Sequence, residues 1–205
     1  MNGETTQEQQ ALEKVAEDLG FNPNFFAVHY FADKIGGYPE TWPVGSIWES
    51  EGRLLYAIAC MIRPSVVVEF GTRYGCSTAH ILKALDMAGD GMLYTVDNGA
   101  NGLMDVSSHP KLSPTVMDGI EFARNWYDLQ VDMIFEDGPH STEFTRDAIT
   151  LMLPHLRSGG IVCVHDVDHF LVGEQVSEGF RQAVGEFDFV RILPSDCGLG
   201  YWKKP

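Results

Sequence analysis

Residues able to do chemistry recur in this chain at one kind of place, the end of an apolar run. Glu69 to Ser77, Asp97, Asp118, Asp137 and the pair His165–Asp166 each lie at or just past a stretch that reads as a β-strand. Two chemistries suit such a gathering. Asp137, His165 and Asp166 could share one divalent cation (magnesium, manganese or another), because adjacent strands lie only about 4.8 Å apart. Alternatively, His165 or His140 could serve as a general base without a metal, since histidine titrates near neutral pH. His140 also reads as a cap for the helix after it. His80 and His155 read as structural, and Asp168 and His169 as a solvated loop outside the site.

The tract SVVVEFGTRYGCSTAHIL, Ser65 to Leu82, suggests what binds nearby. Gly71 and Gly75 mark a turn between a strand and a helix. A dinucleotide fingerprint counted from Gly71 needs glycine at 73 and 76, where the chain has Arg73 and Cys76. A phosphate loop needs Gly-Lys-Ser/Thr, which is absent. The turn therefore suits a nucleoside ligand with no diphosphate, and S-adenosylmethionine (SAM) is such a ligand. In this reading Gly71 and Gly75 let the backbone pass beside the amino-acid tail. Ser77 caps the helix or binds the tail's carboxylate. Glu69 offsets the sulfonium charge, and Asp97 accepts from the ribose hydroxyls.

Such residues converge only if strands and helices alternate. Thr5 and Glu8 read as a capping box for a first helix that stops at Gly20. Phe21 to Trp48 is rich in aromatics and broken by Pro23, Pro39 and Pro43; it reads as core packing, with a substrate cap or a homodimer surface as the alternative. Helices are predicted over 49–62, 77–87, 141–156 and 173–184. Strands are predicted over 65–70, 92–96, 115–117, 131–136, 160–164, 187–193 and 199–203, the last two as a closing antiparallel hairpin. The stretch 98–114 shows no periodicity and reads as a lid or mobile loop. This pattern predicts an α/β fold: a Rossmann-like, doubly wound, mostly parallel seven-stranded sheet with helices on both faces. One domain is expected over 1–205, with 1–48 as an extension and 49–205 as the cofactor-binding core.

Composition narrows the partners. The 205 residues carry 14 basic against 29 acidic side chains, a formal charge of −15, which disfavours nucleic acid. No apolar run approaches the ~20 residues that cross a bilayer, so no membrane partner is expected. Four scattered cysteines and no export-type N-terminus imply a cytoplasmic protein.

With these residues in order, EFGTRYGCS, YTVDNG, VMDG, FEDGPHS and LRSGGIVCVHDVD, the chain resembles the class I SAM-dependent methyltransferases. It is most similar to small O-methyltransferases of the catechol O-methyltransferase type and the cephalosporin hydroxylase-like group, over positions 46 to 203. The resemblance implies that Glu69, Gly71, Thr72, Gly75 and Ser77 form the first cofactor motif, and that Asp97 with Asn98 meets the ribose. It further implies that Asp118 and Gly119 lie beside the adenine, with Met117 in place of a usual glycine. Asp137 matches the acid ending the fourth strand. In metal-dependent relatives that acid pairs with an acid–amide doublet after the fifth strand. Here His165 stands at the acid's place and Asp166 at the amide's, which shifts preference from magnesium towards manganese, iron or zinc. The expected activity is methyl transfer to a small-molecule hydroxyl. A cofactor-binding module without catalysis, or a nicotinamide oxidoreductase, are the rival readings.

Overall fold

The computed structural model describes residues 6–30, 46–99, 108–127, 129–193 and 195–205. Among these residues seven strands form one sheet: β1 (Val66–Phe70), β2 (Met92–Asp97), β3 (Leu112–Val116), β4 (Val131–Glu136), β5 (Leu156–Val164), β6 (Asp188–Val190) and β7 (Leu199–Lys203), in the order β3-β2-β1-β4-β5-β7-β6. The first five run parallel, and β7 lies antiparallel between β5 and β6. The helices are α1 (Gln7–Leu19), α2 (Pro23–Tyr30), α3 (Glu49–Ile62), α4 (Cys76–Ala88), α5 (Gly119–Arg124), α6 (Thr142–Met152) and α7 (Gly173–Val184).

Strand alternation divides the core in two. Val67, Met133, Ile161 and Leu199 face α1 to α4, while Val68, Ile134 and Val162 face α5 to α7. The sheet is thus buried on both sides, as its near-continuous β-branched runs require. The switch point falls between β1 and β4, whose neighbours extend in opposite directions, so the cleft opens at their carboxyl ends. No described helix is long and apolar enough to cross a membrane.

Several elements differ from expectation for identifiable reasons. The first helix is capped by Thr6, whose hydroxyl accepts the Gln9 N–H at 3.2 Å, while Thr5 lies outside the described residues. Part of the aromatic segment forms α2, which buries Phe26 and Tyr30 fully; residues 31–45 are outside the description. The third strand begins at Leu112, inside the stretch expected as a loop, and includes Pro114. Proline is tolerated there because β3 is an edge strand. Residues 100–107 of the same stretch are outside the description. The sixth helix stops at Met152, and β5 starts at Leu156 rather than at 160, with a register irregularity opposite Val131 and Met133.

Two contacts fix α4 over the sheet. Gly52 of α3 touches the ring of His80, and a Cβ there would lie 2.2 Å from the imidazole. His80 is fully buried, with Nδ1 2.8 Å from the Cys76 carbonyl, and burial holds its pKa down at about 4. The second contact is Glu69. Strand parity turns it to the same side as Val67, beneath α4, where its carboxylate accepts from Ser77 at 2.6 Å and Thr78 at 2.7 Å. Burial raises the Glu69 pKa to about 7, against the hydrogen bonds that favour its charge.

Gly52→Ala is expected to lower stability by about 1–3 kcal/mol through overpacking against His80, read as a lower midpoint in urea unfolding. Glu69 sets a slope of stability with pH. The folded state keeps its proton up to about pH 7 and the unfolded state only to about 4.5, so stability falls as pH rises through that window. Glu69→Gln should remove this slope. Identical wild-type and variant slopes between about pH 4.5 and pH 7 in urea unfolding would refute the assignment.

Candidate active site

The backbone ladder carries the site residues past the strand ends. The Asp137 N–H donates to the Phe70 carbonyl at 2.9 Å, and the His165 N–H to the Glu136 carbonyl at 3.0 Å. Asp137 and His165 therefore stand side by side. Gly71 allows this approach: at φ +92, a Cβ there would lie 2.0 Å from the Asp137 carbonyl oxygen. The reason for Gly71 is thus a close backbone crossing, rather than only room for a ligand tail.

Asp137, His165, Asp166 and His140 form a ring in which acids and imidazoles alternate. His165 Nδ1 is 3.3 Å from Asp137 Oδ1 and 3.2 Å from Asp166 Oδ2. His140 Nε2 is 2.9 Å from the same Asp166 oxygen and 3.4 Å from the same Asp137 oxygen. Asp166 has left-handed backbone at φ +59, tolerable for aspartate, which breaks strand alternation and returns its carboxylate beside His165. Ser141, not His140, caps α6 by accepting the Phe144 N–H at 3.2 Å, which leaves His140 for the ring.

The charges sort accordingly. Burial opposes the charge on Asp137 and Asp166, but the two imidazoles override it and hold both carboxyls below their usual range. Hydrogen bonds to Asp137 and Asp166 raise His140 to about 10. His165 also rises well above its ordinary value: burial works against it, and Asp137, Asp166 and Glu51 outweigh that.

Gly71, Asp97, Asn98, Asp118, Gly119, Asp137, His140 and Asp166 line one cleft of about 280 Å³ at these strand ends. Thr72 and Ser77 instead line a recess of about 20 Å³ beside it, and Gly75 (φ +74) is the N-cap residue of α4. The Ser77 hydroxyl is taken by Glu69, so it neither caps the helix nor faces the cleft as a free donor. Glu69, expected to offset the sulfonium charge, is fully buried with its pKa pushed up to about 7 by burial, and it lines neither the cleft nor the recess. Asp97 accepts backbone N–H groups from Arg73 and Gly99, both at 2.9 Å, so it shapes the glycine turn as well as the cleft. Asp118 caps α5 by accepting from Glu121 at 2.9 Å.

Some participants escaped the sequence reading. Phe144 reaches the cleft from α6 and packs edge-on against Phe70, and Gly119 and Gly138 exist where its ring would meet a Cβ. Arg73 lines both the cleft and the recess. His169 and Cys197 bring potential ligand atoms within 4.8 Å of Asp166. Glu51 accepts from His165 Nε2 at 2.8 Å. Of these, Gly138 inside the DGPH tract and Arg73 inside the EFGTRYGCS tract carried a local signal, and Gly119 was already expected at the site.

Three ligand atoms, from Asp137, His165 and Asp166, lie within 4.8 Å of one another, the set expected for a cation. The arrangement passes a further test of fit. His165 Nδ1 is buried and makes no well-directed hydrogen bond, although two carboxylate oxygens flank it.

Comparison with known proteins agrees with this geometry. Residues 68–167 match a family model described as a methyltransferase domain. Similar solved structures include the O-methyltransferase of Bacillus cereus in complex with S-adenosylhomocysteine (SAH), at 14% identity over 98% of both chains with a TM-score of 0.62. Another is TomG from Streptomyces achromogenes, an O-methyltransferase involved in tomaymycin synthesis and solved with SAM, at 16% identity over 98% of this chain and 91% of that one, TM-score 0.59. An SAH-bound methyltransferase of Podospora anserina aligns over 100% of this chain and 99% of its own, at 11% identity and TM-score 0.62. No curated protein matches by sequence. Residues 68–167 thus match a methyltransferase domain, and the sheet that carries them has the Rossmann-like fold of the methyltransferase structures to which this chain is similar.

Proposed function

We propose that the chain transfers the methyl group of SAM to a hydroxyl oxygen of a small molecule, with the acceptor activated at the ring of Asp137, His140, His165 and Asp166. The observation that carries this reading is the buried His165 Nδ1, set between two carboxylates without a directed hydrogen bond. Asp137, His165 and Asp166 would hold a divalent cation there, and the mixed oxygen and nitrogen set suits manganese, iron or zinc better than magnesium. Such an ion supplies charge that lowers the pKa of a hydroxyl and stabilises it as a nucleophile.

The chain's own residues bind and align. Asp97 keeps lone pairs for the ribose hydroxyls, and Asp118 with Gly119 borders the adenine end. Phe144 offers an apolar wall that excludes water. His140 and His165 offset the charges of Asp137 and Asp166, so Asp97 and Asp118 supply the cleft's remaining negative charge, which suits a sulfonium now that Glu69 is withdrawn beneath α4. Holding donor and acceptor in line can lower the barrier by about 7–11 kcal/mol in ideal cases. His140 is a poor metal-free base, because its neighbours keep it protonated up to about pH 10. Its contacts with Asp137 and Asp166 suit it to holding these carboxylates in place. The net charge of −15 supports a small acceptor over nucleic acid.

Incubation with methyl-labelled SAM and a panel of catechols and other hydroxylated acceptors should label oxygen. Chelation should abolish the labelling, and Mn²⁺ should restore it. Asp137→Asn is expected to cut the rate by on the order of 100-fold or more, since such an ion contributes several kcal/mol and about 1.4 kcal/mol is a factor of ten. Full activity in Asp137→Asn, or undiminished labelling in chelator, would overturn the cation-assisted reading.

A further inference from the structure

Glu51 sits in the first turn of α3, far from the strand ends in sequence, yet its side chain is completely buried. A glutamate at this helix position ordinarily reaches back to its own N-cap, and Glu51 does so weakly: Oε2 accepts the Trp48 N–H at 3.3 Å. Its shorter contacts go elsewhere. Oε2 accepts from His165 Nε2 at 2.8 Å, across 114 positions, and Oε1 accepts from the Ser195 hydroxyl at 2.5 Å, across 144. Ser195 is itself buried, and its hydroxyl accepts the Cys197 N–H at 3.1 Å, which fixes the direction of its proton towards Glu51. Burying a carboxylate is costly unless partners compensate. A helix cap alone does not explain why this one lies inside the protein.

We infer that Glu51 is a positioning residue for His165: it holds the proton on Nε2 and so presents Nδ1 to Asp137 and Asp166. A carboxylate can only accept, so a 2.8 Å contact with Nε2 requires that nitrogen to donate. The ring is then pinned at one end by Glu51, and its other nitrogen stands 3.2–3.3 Å from the two acids. A carboxylate behind a ligating imidazole orients the ring and strengthens its donor nitrogen. Ser195 holds Glu51 in turn, so the loop before β7 and the start of α3 both act on the site through one side chain. This assignment rests on the reading that Asp137, His165 and Asp166 hold a cation.

The test compares wild type with Glu51→Gln, Ser195→Ala and Asp137→Asn, using Mn²⁺ alone and titration by electron paramagnetic resonance, so that no turnover is needed. Thermal unfolding and SAM binding measured on the same samples separate a local effect from misfolding. The expected result is Mn²⁺ binding by wild type and none by Asp137→Asn. Mn²⁺ affinity in Glu51→Gln should be weaker by about 10–100-fold, with SAM affinity and unfolding midpoint little changed. Ser195→Ala should weaken Mn²⁺ in the same direction by less. Wild-type Mn²⁺ affinity in folded Glu51→Gln would overturn the assignment while leaving the cation reading intact. If wild type takes up no Mn²⁺, the cation reading fails, and nitrogen-15 spectra of the His165 ring decide the positioning role. A proton on Nε2 that is displaced in Glu51→Gln supports it, and an unchanged ring spectrum overturns it.

Discussion

The site depends on how closely three parallel strand ends can approach. Beyond β1, β4 and β5 the hydrogen-bond ladder continues for one more residue on each side, from Asp137 to Phe70 and from His165 to Glu136. This continuation works only because residue 71 has no Cβ: an alanine there would place a carbon 2.0 Å from the Asp137 carbonyl, in a backbone conformation that side chains disfavour. Once the backbones are this close, Asp137 and His165 meet without a long loop to order. The left-handed turn at Asp166 then adds a second carboxylate to the same point. The geometry is therefore built mainly from the backbone, whose extended ladder fixes where the Asp137 and His165 side chains start.

Electrostatics makes that crowding tolerable. Two carboxylates this close would repel each other if both were charged and unaccompanied. Here each acid oxygen of the ring has an imidazole on either side, so charge alternates around it. Elsewhere burial is met differently. Glu69 beneath α4 and Glu136 at the end of β4 are both pushed up to about 7 by burial, and hydroxyl or backbone N–H donors satisfy them. These four acids are thus of two kinds. One kind is kept charged by imidazoles at the cleft, and the other is held near neutrality inside the layers. Only the first kind lines the cleft.

Helix and strand positions were largely legible from local pattern. The helices over Glu49–Ile62 and Gly173–Val184 lie where their apolar spacing puts them, and β4 spans its apolar run from Val131 to Glu136. What failed was local too, and for competing local reasons. Pro114 marked a loop although an edge strand accepts it, and the helix expected to run to 156 stops at Met152. The roles of Glu69 and Ser77 were misjudged for a different reason. Both are polar residues near a glycine turn, but strand parity and helix phase turn them towards each other rather than to the cleft.

By itself the sequence determined the succession of elements, the sheet's class and the strand ends at which acids and histidines would gather. Those follow from periodicity and from the rule that parallel sheets bind ligands at their carboxyl ends. Tertiary structure alone decided which of these residues share a cleft, which are buried as internal hydrogen-bond partners, and that Glu51 and Ser195 stand behind His165. Their contacts span 114 and 144 positions, and no local spacing encodes a distance that only the packing of α3 and the loop before β7 against the sheet can close.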